Sequence, residues 1–178
     1  MAGMDATPPP ATPDARDWTF VVDDGCRECG YAPHDPVLTG ERLQTAARRW
    51  ATALQRPDAG ERPAPGVWST VEYAGHSRDL VRVLRERVEA MLATQGAPFA
   101  DYDGEAEAVR RRFWAADPAQ VEREIADETQ RTVAVLARVR GDDWERTGLR
   151  GDGRPFTVTQ LARYLLHDVE HHLHDVDA

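Results

Sequence analysis

The sequence predicts an all-α protein, a four-helix bundle that occupies residues 36–178. Four segments carry apolar residues at three- and four-residue spacing, which is the spacing of one buried helix face. Three of these segments begin with a side chain suited to cap a helix. No run of alternating residues is long enough to predict a sheet. At 178 residues the chain fits one domain with a sizeable core.

The first two helices are predicted over residues 40–55 and 69–94, with a Pro- and Gly-rich connection between them. The second begins with a capping box, because the Ser69 hydroxyl can accept an amide of the first turn and Glu72 can return a bond to the Ser69 backbone. His76 is aligned with the apolar residues of this helix. A single histidine on an apolar face is more often a core residue than a ligand, so its role depends on the other histidines.

The last two helices also have clear ends. The third begins with Asp117 as its cap and Pro118 in its first position, and Gly141 is expected to end it. The fourth begins with a second capping box at Thr157 and runs to about Asp175. The segments between the helices are predicted to be connections.

The N-terminal part differs from the bundle in composition. Residues 1–15 are rich in proline and are predicted to be a disordered tail. Residues 16–35 form an N-terminal extension with the pattern Cys26-Arg-Glu-Cys29. Three interpretations of the cysteine pair stay open: a turn with reduced thiols, a metal or redox role, or a local disulfide. A zinc site needs four ligands, and only His34 lies close in sequence.

Composition excludes several classes of function. The net charge is −9 and no basic stripe stands out, so we expect no nucleic-acid partner. No stretch approaches the roughly 20 apolar residues of a membrane span, and residues 1–14 lack the parts of a signal peptide. We therefore expect a cytoplasmic protein that does not bind membranes. No outward apolar stripe is clear enough to predict a homodimer, which stays possible.

All basic side chains are arginine, and lysine and asparagine are absent. The codons of the missing residues are rich in A and T. The composition therefore indicates a bacterium with a high-GC genome as the source.

Four of the six histidines fall between residues 167 and 174. His167 and His171 are four apart and share one helix face, within reach of a single ion. Imidazole prefers zinc or nickel among the available divalent metals. If the second and fourth helices are antiparallel, His76 joins this pair, and three ligands leave coordination positions open for water or substrate. The alternative is a solvated, histidine-rich helix end.

Two motifs together resemble the DinB-like superfamily. They are W-S-T-V-E-Y-A-G-H (Trp68–His76) and H-D-V-E-H-H (His167–His172), which match the family patterns W-S-x-x-E-x-x-x-H and H-x-x-x-H-H. The resemblance spans residues 36–178, and the extension with its two cysteines also looks like one found on some actinobacterial members. It implies an up-down-down-up bundle in which His76, His167 and His171 hold a divalent metal.

The resemblance also implies an activity. Several relatives are S-transferases or isomerases that use mycothiol or bacillithiol, and the high-GC composition favours mycothiol. We therefore expect a metal-dependent S-transferase whose partners are a low-molecular-weight thiol and a small electrophile. Two alternatives stay open: a metal-dependent hydrolase of small substrates, and a non-catalytic bundle that binds a metal or ligand. The sequence identifies no catalytic residue beyond the metal ligands.

Overall fold

The computed structural model describes residues 7–12 and 16–178. The described residues form six α-helices and three short strands, joined by turns and 3-10 helices. The helices and strands are α1 (Val21–Asp24), α2 (Thr39–Leu54), α3 (Thr70–Ala93), β1 (Ala97–Pro98), α4 (Gly104–Arg110), α5 (Pro118–Leu136), β2 (Thr147–Leu149), β3 (Pro155–Thr157) and α6 (Val158–Asp175).

The four long helices α2, α3, α5 and α6 form the predicted four-helix bundle, and the fold class is confirmed. Arg56, just after α2, donates to the carbonyls of Val176 and Asp177, just after α6, so α2 and α6 end on the same side. At the opposite side, Arg146 donates to the Met91 carbonyl near the end of α3. Helix α5 runs parallel to α3, because Arg78 pairs with Glu124 and Arg85 with Glu128. The helices α3 and α5 therefore run against α2 and α6, which gives the up-down-down-up order.

The core is the set of apolar stripes that the helical spacing predicts. Helix α3 packs against α5 and α6, and α2 packs against the same two helices from the other side. Large side chains such as Trp50, Leu84, Met91 and Leu166 are at most 1% exposed. Full burial of each such side chain contributes about 1.5–3 kcal/mol before the entropy of folding is counted.

Both predicted capping boxes are present. The Ser69 backbone donates to the Glu72 carboxylate over 2.9 Å, and the Glu72 amide donates to the Ser69 hydroxyl. Thr157 and Gln160 make the same reciprocal pair at the start of α6. Each box satisfies amides that the first helical turn leaves without an intrahelical acceptor, so the helices begin where the sequence predicts.

The structure corrects the prediction in the connections. A three-stranded sheet joins β1 and β2 in parallel and β2 and β3 in antiparallel pairing. Strands of two or three residues are too short for an alternating pattern, which is why the sequence did not predict them. Helix α4 also lies in a predicted connection. Helix α5 ends at Leu136 instead of reaching Gly141, although Val139 beyond it is buried.

Residues 16–35, called the N-terminal segment below, pack on α6. Val21 is fully buried, and the Tyr31 hydroxyl donates to the Arg163 carbonyl over 3.0 Å. Of the predicted disordered tail, residues 1–6 and 13–15 lie outside the described residues. Within residues 7–12, the Thr12 amide donates to the Gly66 carbonyl. Across the described residues, no helix has the length and apolar character needed to cross a membrane.

Candidate metal centre and cavity

A tight turn in the N-terminal segment positions the two cysteines. Gly25 has a φ of +73°, and a Cβ at this position would collide with the Tyr31 carbonyl oxygen, so the turn requires glycine. The Cys26 amide donates to the Tyr31 carbonyl over 2.8 Å, and the Gly30 amide donates to the Cys26 carbonyl over 3.0 Å. These bonds hold Cys26 buried and Cys29 half-buried, both as free thiols facing α6.

The cysteines meet His167 and His171 of α6. The ligand atoms of Cys26, Cys29, His167 and His171 all lie within 4.8 Å of one another. Within residues 7–12 and 16–178, these four residues are the only group of three or more potential metal ligands that is so compact. We call them the thiol–imidazole cluster. Its members come from a turn near the start of the chain and from the last helix.

One ring nitrogen of His167 has no hydrogen-bond partner inside the cluster. The ring is 1% exposed, and its Nδ1 lies 3.2 Å from the Asp168 carboxylate, to which it can donate. Its Nε2 is buried and has no hydrogen-bond partner among the described residues. In the neutral ring, a donating Nδ1 leaves an unprotonated Nε2, which offers a lone pair to a metal.

The two thiols differ in acidity. Burial alone would raise the pKa of Cys26, but hydrogen bonds from the Cys29 and Glu28 backbone and the nearby imidazole of His167 outweigh it and lower that pKa. Burial raises the pKa of Cys29 to about 11, and the neighbouring Cys26 adds to the increase. The protein therefore favours one thiolate and opposes a second one. A cation among the four residues would stabilise both thiolates together.

A cavity of about 890 Å³ lies beside the cluster, between α3, α4, α6 and the sheet. Its volume is large enough for a small-molecule substrate. Aromatic and imidazole side chains surround the end near the start of α3, and two arginines, Arg87 and Arg150, lie toward the sheet. The residues that line the end near the start of α3 are Trp68, Tyr73, His76, Tyr102, His171 and His172.

His76 and His172 face each other at this end, with ring centroids 5.1 Å apart. The Tyr102 hydroxyl lies 3.3 Å from Nδ1 of His76, and an Asp175 oxygen lies 2.9 Å from Nδ1 of His172. Each Nδ1 thus has an oxygen as its hydrogen-bond partner. The Nε2 atom of each ring is then the one that can bind a metal. Burial, and then the nearby His172, hold the pKa of His76 well below its usual value, so this ring is neutral at pH 7.

The structure divides the predicted ligand set between two neighbouring groups. It brings His167 and His171 together as expected, but their partners are the cysteines. His76 instead faces His172, a residue that we expected to face solvent and that is 20% exposed. That one ion joins His76, His167 and His171 stays a prediction, because His76 is not part of the compact cluster.

Sequence reasoning missed the cysteines as partners of the histidines. Cys26 and His171 are 145 positions apart, and no local motif connects them. Only the packing of the N-terminal segment on α6 brings them together. Two carboxylates flank the histidines in sequence: Asp168 contacts His167, whereas Glu170 forms an ion pair with Arg42.

The fold and the site define a class: four-helix bundles with a histidine-lined cavity at one end. The family model of the DinB superfamily matches residues 39–176, and the chain belongs to this superfamily. The structure is similar to that of YfiT from Bacillus subtilis, with a TM-score of 0.73 at 16% identity, over 83% of this chain and 90% of that one. YfiT is described as a probable metal-dependent hydrolase with an unusual four-helix bundle topology. No curated protein matches the chain.

Proposed function

We propose that this protein is a metal-dependent transferase that joins a low-molecular-weight thiol to a small electrophile inside the cavity. The observation that carries the proposal is the pair His76 and His172, whose Nε2 atoms are left free to bind a metal at the wall of a cavity of about 890 Å³. A metal held by few protein ligands keeps positions open for a reactant. Membership of the DinB superfamily supports metal dependence.

The residues around the pair fit a divalent cation. Tyr102 and Asp175 fix the two rings through their Nδ1 atoms, which is the usual way that a protein orients metal-binding imidazoles. Asp168 lies one helical turn before His172 and also lines the cavity, and we propose its oxygen that does not contact His167 as a third ligand. The two imidazole donors favour zinc or nickel at such a site.

When bound, the cation would lower the pKa of a coordinated thiol and so supply a thiolate at neutral pH. The protein's own side chains hold and orient the reactants. Trp68 and Tyr73 pack around the two imidazoles and limit the access of water. Toward the sheet, Arg87 and Arg150 offer positive charge for an acidic group of the thiol or the electrophile. Mycothiol is the thiol that we propose.

The test is a turnover assay with metal-loaded, tag-free protein, mycothiol and monochlorobimane. In this reaction the thiol sulfur displaces chloride from the bimane, and the thiol proton is released to water. We expect a rate that depends on both metal and thiol and that falls at least about tenfold in His76→Ala, where an imidazole ligand is lost. The exposed His174→Ala is the matched control and should keep the rate. Metal-loaded protein that gives no thiol-dependent rate would contradict the transferase proposal.

A second candidate is a metal-dependent hydrolase, in which bound water takes the place of the thiol. It is favoured by the similarity to YfiT, since that protein is described as a probable metal-dependent hydrolase. Cleavage of a small ester that requires metal, proceeds without thiol and is lost in His76→Ala would support this candidate. Metal binding with neither reaction would instead indicate a non-catalytic binding protein.

A further inference from the structure

We propose that Cys26, Cys29, His167 and His171 bind a structural zinc ion that fastens the N-terminal segment to α6. This site is separate from the metal proposed for the cavity, and the inference does not depend on that function. It rests on three observations: the donor set, an unpartnered buried nitrogen, and the aromatic packing on the two histidines.

The donor set is typical of zinc. Two thiolates and two imidazoles form the Cys2His2 combination found in closed tetrahedral sites. Zinc–sulfur and zinc–nitrogen bond lengths place tetrahedral ligands roughly 3.3–3.8 Å apart. The 3.7 Å between Sγ of Cys26 and Nδ1 of His171 lies in this range, and the mutual limit of 4.8 Å leaves only a small contraction for the rest.

The unpartnered nitrogen is an independent sign of a ligand. Nε2 of His167 is buried without a hydrogen bond among the described residues, although such an atom costs about 1–3 kcal/mol when it is left unsatisfied. A zinc ion would satisfy it. The contact of Asp168 with Nδ1 of the same ring then completes a carboxylate–histidine–zinc arrangement, which raises the basicity of the ligand.

Aromatic rings pack on the two histidines of the site. The Trp18 ring lies 5.3 Å from that of His167 and 4.9 Å from that of His171, and the Tyr31 ring lies 5.3 Å from that of His167. His167 and His171 also line the cavity, but four protein ligands fill the tetrahedral coordination of zinc and leave no position for a substrate. A closed ligand set of this kind distinguishes a structural ion from a reactive one.

The ion would also supply stability that the N-terminal segment has little means to obtain alone. Its helix α1 has only four residues, which is far below the length at which a helix is stable in isolation. Zinc binding would join this segment to α6, so the binding free energy becomes free energy of folding for the segment.

Cobalt substitution tests the site directly, because cobalt bound to thiolates gives sulfur-to-metal charge-transfer bands. Cobalt bound to His76 and His172 gives no such bands, because that pair contains no sulfur. In full-length, reduced, tag-free protein we expect these bands together with the intense visible bands of tetrahedral cobalt. Cys26→Ser and Cys29→Ser should lose the charge-transfer bands, and each should lose one equivalent of zinc per chain. His76→Ala and the exposed His174→Ala should keep the charge-transfer bands and the zinc of this site.

Two results would overturn the inference: absence of charge-transfer bands in the reduced wild-type protein, or bands that persist in both cysteine variants. If the serine variants do not fold, zinc X-ray absorption of His76→Ala, which lacks an imidazole of the proposed cavity metal, decides the question. It should find sulfur and nitrogen neighbours in equal number, and a zinc shell without sulfur would reject the site. Loss of the cavity metal in His76→Ala with the cobalt–thiolate bands intact would separate this inference from the proposed function.

Discussion

Sγ of Cys26 lies 3.7 Å from Nδ1 of His171, although 145 positions separate the two residues. Helix α6 thus takes part in both the thiol–imidazole cluster and the wall of the cavity. His171 contacts the N-terminal segment and also borders the cavity, whereas His172, next in sequence and roughly 100° around the helix, faces His76. Asp175 lies between them, 3.7 Å from Nε2 of His171 and 2.9 Å from Nδ1 of His172.

Removal of the Tyr102 hydroxyl should weaken metal binding at the cavity. In Tyr102→Phe the ring still stacks on His76, but Nδ1 of His76 loses the oxygen that lies 3.3 Å away. Loss of such an orienting partner lowers metal affinity about 10–100-fold. Titration with a competing chelator measures this affinity.

Tyr164→Phe is the matched control for this variant, because Tyr164 lines the same cavity at its other end, near Phe156 of the sheet. It should bind the cavity metal as the wild-type protein does. Equal affinities in Tyr102→Phe and Tyr164→Phe would show that the Tyr102 hydroxyl does not orient a metal ligand.

A methyl group at Gly104 should displace His76. A Cβ built on Gly104 at the start of α4 would overlap the His76 ring and lie 2.6 Å from its Nδ1, so the imidazole must move. A shift of about 1 Å in a reacting group costs on the order of 10²-fold in rate. We expect Gly104→Ala to lose the metal-dependent rate to this extent while its circular dichroism stays that of the wild-type protein.

Gly60→Ala is the comparison for Gly104→Ala, since a Cβ at Gly60 meets no described atom within 4 Å. It should keep the full rate. If Gly104→Ala is as active as Gly60→Ala, then the position of His76 is not critical to the reaction.

The helices could be predicted because their signals are local. The spacing of apolar residues sets each buried face, and the capping boxes at Ser69 and Thr157 set where α3 and α6 begin. The sheet could not be predicted, because its short strands are held by pairing between segments that are distant in the sequence. No single strand carries a pattern of its own. Gly148 shows this dependence, as its lack of a side chain makes room for Phe99.

The candidate site was predictable only in part, for a geometric reason. The four-residue spacing of His167 and His171 correctly places both on one helix face. It does not reveal how α6 is rotated relative to α3, and this rotation decides that His172, not His171, faces His76. The proximity of the cysteines to His167 and His171 depends on the N-terminal segment folding back over α6. This is a long-range contact that no local sequence pattern predicts.

Asp79 is expected to be important for stability. Its carboxylate is 1% exposed and accepts hydrogen bonds from Arg78 and Arg111 over 2.8–2.9 Å. Asp79→Ala would leave the buried Arg78 with fewer partners, at a cost of about 3 kcal/mol in the free energy of unfolding. Urea denaturation measures this loss.

Glu86→Ala removes an exposed ion pair with Arg82 and should cost less than about 1 kcal/mol. Equal losses in the two variants would contradict the expectation.

His34 should make the protein less stable in mild acid. Burial first, and then the charges of Arg42 and Arg163, lower its pKa to about 4, against the opposing effect of Asp35. The unfolded chain takes up this proton near pH 6.5, whereas the folded protein resists it until about pH 4. The free energy of unfolding therefore falls as the pH decreases through this interval.

The half-buried position of His34, between the Tyr31 hydroxyl and the Thr39 hydroxyl, limits the effect to roughly 1–2 kcal/mol between pH 7 and pH 5. Urea denaturation at several pH values measures it. His34→Gln cannot take up the proton, so its stability should decrease by that much less over the same interval, whatever its stability at pH 7. His174→Gln, at an exposed position on α6, should keep the wild-type dependence on pH. If His34→Gln follows the wild-type slope instead, then His34 is not the group whose protonation destabilises the fold.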